Sequence, residues 1–329
     1  MERLLRIEKD FLGEKEIDPS KYYRIQTLRA KENFNITKTD ISLFPNFIKS
    51  LAKVKKACAL TNYELGDLSD MQKDAIVQAC NEIIDGKFHD QFIVDPIQGG
   101  AGTSTNMNAN EVIANRALEI LGKPKSSYDI IHPNNHINMS QSTNDVYPTA
   151  IKLTLHELIY KLKESLRFLR DCFEEKSVEF KDVLKMGRTQ LQDAVPMTLG
   201  QEFKTFAVMI DADIFRLRDV QAHLREVNLG ATAIGTGINS KAAYQRKVIS
   251  NLREVTGVDY IAAGDLIEAT QDTGSFVHIS GMLKSIAIKI SKICNDLRLL
   301  SSGPRAGFNE INLPPLQPGS SIMPGKVNP

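Results

Sequence analysis

Hydrophobic positions in the second half of the chain recur at alternating spacings of three and four. In the last such segment Phe276, Ile279, Leu283, Ile286, Ile290, Ile293, Leu297 and Leu300 form an unbroken seam. That heptad rhythm predicts one long helix. A middle segment keeps it through Phe203, Phe206, Ile210, Leu217, Val220, Leu224 and Val227, with Ile214 beside the missing position. A first segment keeps it through Leu155, Leu158, Leu162, Leu166, Leu169 and Phe173. This periodicity suits long helices packed nearly parallel, so the predicted fold is mainly α, a bundle of long helices. Ile286, Ile288 and Ile290 place apolar groups on more than one face of the last helix. Such a helix must be covered on more than one face, which predicts an oligomer.

The first 145 residues read differently. Shorter helical patterns occur at 44–63, 70–85 and 109–122, separated by stretches such as DPIQGGAGTS and IIHPNNHINMSQSTND. These loops are polar without being low in complexity, which marks them as functional rather than as linkers. A boundary is expected near residue 145, with Pro148 opening the first long helix, since proline suits a helix start. At 329 residues the chain has room for about two domains. The expected division is a small helical N-terminal domain, 1–145, and a bundle domain, 146–329.

Composition narrows the function classes. Lys plus Arg is 41 and Asp plus Glu is 40, a formal net charge of +1. That balance gives no electrostatic reason to expect a nucleic acid or an anionic membrane as partner. No apolar run approaches the ~18 residues of a membrane helix, and the charged N-terminus MERLLRIEKDFLGEKEID lacks a signal-peptide core. The cysteines Cys58, Cys80, Cys172 and Cys294 lie far apart and form no CxxC. They read as reduced core thiols, and a reducing cytoplasm is the simplest location. The six histidines include no HExxH-type spacing.

Four segments carry small hydroxyl, amide and glycine residues between helices: Gly99–Ser104 with Asn106, Asn108 and Asn110; Ser140–Asp145; Gly187–Asp193; and Gly319–Pro329. Hydroxyls, amides and exposed backbone N–H groups donate neutral hydrogen bonds, and Lys326 adds a full charge. Together they suit a small anionic ligand such as a carboxylate. A nucleotide is poorly served. No GK[ST] follows the glycines at 99–102, and Gly235-Thr236-Gly237 lacks the third glycine of a dinucleotide loop. Each segment also has a plain reading. Ser142–Asp145 suits a helix cap, Asn106, Asn108 and Asn110 suit loop backbone, and Arg188 with Asp193 suits a salt bridge.

The run GSSIMPGKVNP resembles the signature loop of the fumarase/aspartase superfamily. The resemblance continues through QGGAGTSTNMNANEV, NMSQSTND, KMGRTQLQDAVPMTLGQEF, VNLGATAIGTGIN and LRLLSSGPRAG, covering essentially the whole chain. Within the superfamily the chain is most similar to the aspartate ammonia-lyases. QGGAGTS, Ser142-Thr143-Asn144, GATA after Leu229 and Gln190 all lean away from class II fumarases.

The resemblance implies a lyase domain followed by a central bundle, and a homotetramer with shared active sites. It implies reversible elimination of ammonia from L-aspartate to fumarate with no organic cofactor. It casts Ser320 as the base that removes the Cβ proton. Thr103, Ser142, Thr143 and Ser321 become the donors to the resulting aci-carboxylate, Lys326 and Asn328 hold the α-carboxylate, and Asn144, Thr189 and Gln190 surround the amino group. Gln190 stands where many relatives have His and can only hydrogen-bond, not titrate. No carboxylate cluster reads as a metal site, so activation by a divalent ion such as Mg2+ stays open. Arg24 replaces the family's usual Gly, which puts N-terminal packing in question. Family members continue past this loop, so a C-terminally incomplete bundle is expected. Two alternatives remain: a class II fumarase, and a catalytically incompetent fragment acting only as a helical assembly piece.

Overall fold

The computed structural model describes residues 5–328; Pro329, the last residue of the signature run, lies outside them. In chain order the elements are strands β1 (Arg6–Asp10) and β2 (Gly13–Ile17), and helices α1 (Ile25–Asn33), α2 (Pro45–Glu64), α3 (Asp70–Ile84), α4 (Thr103–Ile120) and α5 (Thr143–Glu179). Strands β3 (Leu184–Thr189) and β4 (Gln192–Thr198) follow, then α6 (Leu199–His223), β5 (Glu226–Val227), α7 (Tyr244–Thr256), β6 (Ile261–Ala262), α8 (Leu266–Gln271) and α9 (Gly274–Leu300). The chain ends in β7 (Gln317–Pro318) and β8 (Val327–Asn328). Among the described residues there are four sheets, each of two strands.

The chain divides into two compact units, each built from two stretches. The first comprises residues up to Leu158 and Ala222–Thr273; the second comprises Ile159–Gln221 and from Gly274 onward. The boundary expected at 145 followed chain order. In the structure α5 carries the chain out of the first unit at 158, and 222–273 belongs with the N-terminal residues because α7 packs on α2.

The first unit is organised around α2. Leu51, Ala52, Val54, Ala57, Cys58 and Thr61 are all buried, and the small residues among them let α3, α4 and α7 pack closely. A capping box starts α3: Ser69 Oγ accepts from Gln72 N–H, and Ser69 N–H donates to Gln72 Oε1. By contrast α1 has no capping side chain of its own. The buried carboxylate of Glu111, on α4, accepts from the N–H groups of Arg24, Gln26 and Thr27 and from the Thr27 hydroxyl. Burial pushes the Glu111 carboxyl up to about 7 against those donors. Arg24 has a packing role. Its Nε meets Glu8 Oε2 at 2.7 Å, and its guanidinium lies 4.3 Å above the Tyr128 ring, tying the β1–β2 hairpin to the helices.

In the second unit α5 beyond residue 158, α6 and α9 supply the long seams. Phe173, Phe180, Phe203 and Phe206 stack edge to face. The missing seam position of α6 is Asp213, fully buried and paired with Lys289 and, at 2.9 Å, with Arg216. The last two residues of that seam leave the helix: Leu224 follows α6 and Val227 lies in β5. Only Cys58 and Cys80 are core thiols. Cys172 is half-buried and Cys294 is exposed on α9, a correction to reading all four as buried.

Candidate active site

Four of the residues singled out from sequence gather in the first unit, at two helix N-termini. Thr103 begins α4 and Thr143 begins α5. The ends are locked side by side. Asn106 Nδ2 reaches Thr143 Oγ1 at 3.2 Å, and the Tyr147 ring presses on Gly102. A Cβ at Gly102 would lie 2.4 Å from that ring, and its φ of +92° also demands glycine. Two adjacent helix N-termini with hydroxyls at their tips form a natural anion site. Helix α4 starts six residues before the periodicity at 109–122 suggests, because Thr103, Thr105, Asn106 and Asn108 meet polar partners rather than an apolar core.

Ser142 is also a helix cap. Its N–H donates to Asp145 Oδ1 at 2.9 Å, and its Oγ accepts from Asn144 N–H at 3.2 Å. Asp145 is fully buried, and its Oδ2 accepts from Gly230 N–H at 3.1 Å and Thr232 N–H at 3.0 Å. Burial pushes its carboxyl up to about 6 against these donors. The loop after β5 is thereby fastened to the Ser142–Asn144 segment, and Asn144 Nδ2 adds a bond to Ala233 O at 2.7 Å.

Pro148 lies inside α5, not at its start. Lacking an N–H, it leaves the Asn144 carbonyl without a helical partner. Asn228 Nδ2 takes that carbonyl at 3.0 Å. Of the asparagines on α4, Asn108 does serve loop backbone, bonding Gln91 O and Ile93 N, each at 3.0 Å. Asn106 and Asn110 instead donate to Asn138 Oδ1.

The other six residues lie in the second unit. Thr189 ends β3, and Gln190 with Leu191 forms the exposed tip of the β3–β4 hairpin. Both tip residues have positive φ, 53° and 61°, as a two-residue hairpin turn requires. Arg188 faces Asp193 across the hairpin, yet its guanidinium pairs with Glu310 and stacks 4.2 Å over Phe308. Lys185 also meets Glu310, at 3.0 Å. Burial works against the Glu310 carboxylate, but hydrogen bonds from Arg188 and Lys185 hold its carboxyl below the ordinary value. Glu310 thus joins the hairpin to the chain leading into the last loop.

In that loop β7 pairs with β8, and Gly319 N–H donates to Lys326 O at 2.7 Å. A Cβ on Gly319 would sit 2.7 Å from Asn328 Oδ1, so glycine is needed for the close approach. Ser320 Oγ accepts from the N–H groups of both Ile322 and Met323, each at 3.2 Å. Ser321, Lys326 and Asn328 are exposed.

A family model described as Lyase matches residues 13–329. The chain belongs to this family of lyases. This lyase is 61% identical over 325 residues to an aspartate ammonia-lyase of Helicobacter pylori, covering 99% of its own length and 69% of the relative's. Among solved structures, a fumarate lyase:delta crystallin from Brucella melitensis bound to cobalt superposes with a TM-score of 0.97 at 56% identity, covering 99% of this lyase and 71% of that chain. A class II fumarase from Schistosoma mansoni superposes at 0.94 with 37% identity, covering 98% and 71%.

Sequence reasoning missed the supports of the site: Lys55, Asn138, Asp145 as a loop clamp, Asn228 and Glu310. For Lys55 the available signal was a charged residue at an otherwise apolar helical position, in AKVKKACAL; Asn138, Asn228 and Glu310 lie outside the helices and carry no such period.

Proposed function

We propose that this lyase catalyses the reversible elimination of ammonia from L-aspartate to give fumarate. The observation that carries this reading is the 61% identity to an aspartate ammonia-lyase across 99% of the chain, against 37% to the class II fumarase. Removing the Cβ proton moves its electron pair toward the β-carboxylate, which becomes a dianion. Collapse of that dianion forms the C=C bond as the C–N bond breaks and ammonia departs.

Ser320 is the base in this reading. A serine hydroxyl is too weak a base unless its alkoxide is stabilised, and the N–H groups of Ile322 and Met323 aimed at Ser320 Oγ favour the charged form. The paired N-termini of α4 and α5 suit the dianion, with Thr103, Ser142 and Thr143 as neutral donors and Ser321 a further one. Lys326 and Asn328 take the α-carboxylate, and Asn144, Thr189 and Gln190 take the amino group. Neither an organic cofactor nor a metal enters this scheme.

The working form in this reading is a cytoplasmic homotetramer. Among the described residues no helix is long and apolar enough to cross a membrane. The exposed apolar groups of α5, α6 and α9 suit burial against other copies.

The test follows fumarate by ultraviolet absorbance from L-aspartate, with L-malate in parallel. Turnover of aspartate alone is expected, and Ser320→Ala should lower kcat by about 10³-fold or more. Preference for malate would overturn the reading.

A further inference from the structure

Lys55, on α2, is fully buried, yet it has no ion pair among the described residues. Its Nζ donates to two neutral amide oxygens, Asn138 Oδ1 at 3.0 Å and Gln141 Oε1 at 2.8 Å. Asn138 Oδ1 is a hub. It also accepts from Asn106 Nδ2 at 3.0 Å and Asn110 Nδ2 at 3.1 Å, and the same Asn106 amide contacts Thr143 Oγ1. Gln141, oriented by the ammonium, donates back to Ile137 O at 2.9 Å and Met139 O at 3.0 Å. Between Asn138 and Gln141 the backbone passes through Ser140 at φ +59°, a left-handed conformation that is unfavourable for a non-glycine residue. The turn held this way delivers Ser142, Thr143 and Asn144.

The charges around Lys55 are few. Cys58 on α2 and Cys80 on α3 face it as neutral thiols, burial having pushed both up to about 12. The Tyr244 phenol on α7, beside Cys58, is raised well above its ordinary value by burial. Asp145 on α5 is the remaining carboxylate, and its oxygens are turned to the N–H groups of Ser142, Gly230 and Thr232. Burial pushes Lys55 down to about 8, so the ammonium form prevails at neutral pH. A buried cation held by neutral carbonyls keeps its field.

We propose that Lys55 is a positioning residue for the carboxylate-binding segment. Through Asn138 and Gln141 it sets the turn before Ser142–Asn144, and its charge, engaged in no direct ion pair, favours a second negative charge on a carboxylate bound there. The electrostatic half rests on the elimination chemistry proposed above; the positioning half does not.

The experiment compares the wild-type chain with Lys55→Met and Asn138→Asp. Hydrogen exchange is read on the peptide spanning 138–147 of the free protein, and kinetics are read with L-aspartate. Lys55→Met should speed exchange in that peptide while the rest of α2 and α3 keeps its protection. It should lower kcat about 100-fold, with KM changing far less, because the dianion exists only beyond the ground state. Asn138→Asp places a carboxylate on the ammonium, and should lower kcat while leaving exchange near wild type. This second variant decides the matter if Lys55→Met fails to fold. Wild-type exchange in a folded Lys55→Met, or exchange raised throughout the first unit, would overturn the positioning role. Unchanged kcat in Asn138→Asp would overturn the electrostatic one. If the wild type shows no turnover of aspartate while the local exchange effect appears, the proposed reaction fails and the positioning role stands.

Discussion

In the first unit α2 is covered on nearly every side, with Ile48, Leu51, Val54, Ala57 and Cys58 all fully buried. In the second unit α9 buries Ile279, Ile286, Ile293 and Leu300, every seventh residue, while the alternate seam position Leu283 is 40% exposed. Val277 and Ile288 on the same helix are 67% and 59% exposed, as are Phe168 on α5 at 73% and Phe215 on α6 at 62%. The same helical grammar therefore gives two outcomes. Short helices around a central one close a core within one chain, whereas long helices with a double-sided seam close only half of theirs and leave the rest for another surface.

That contrast can be broken at defined points. Leu51→Ala opens a cavity in a closed core and should cost about 3 kcal/mol, read by denaturant unfolding, with little dependence on protein concentration. Phe215→Asp with Phe168→Asp should leave helix content intact and weaken association at least tenfold, about 1.4 kcal/mol, seen by sedimentation velocity. A wild-type chain that stays monomeric at high concentration would remove the distinction between the units.

A subtler probe lies at Glu111. Its folded pKa is raised to about 7 by burial, so the folded state holds more protons than the unfolded chain between the ordinary value and 7. The stability it contributes is complete at low pH and declines as pH rises through 7, by at most about 1.4 kcal/mol per pH unit. The stability gap between wild type and Glu111→Gln should therefore narrow from pH 5 to pH 7. A gap that widens instead would mean the ionised form is the one the α1 N–H groups favour.

The long helices and the four polar loops were legible because seams and loop motifs are local patterns. Phe276 to Leu300 falls on α9, and the Gly319–Asn328 motif falls in the β7–β8 loop. What escaped was carried by partners distant in sequence. Asp213 reads as a gap in a seam until Lys289, 76 residues on, is seen beside it. Arg188 reads toward Asp193 because the two are near in sequence, yet its partner is Glu310. The start of α4 was hidden because Asn106 and Asn110 point into a polar hub, which has no hydrophobic period to count.

Pro148 has a consequence for the order of assembly. By withholding an N–H it keeps the Asn144 carbonyl open until Asn228, 84 residues further along, arrives to occupy it. The first turns of α5 form from local sequence alone, but that socket fills only after a long loop has closed, and long-range closures of this kind come late in folding. Helix formation and completion of the site are thus separate events in time. A newly made chain gains the first turns of α5 before the Asn228 contact that completes them.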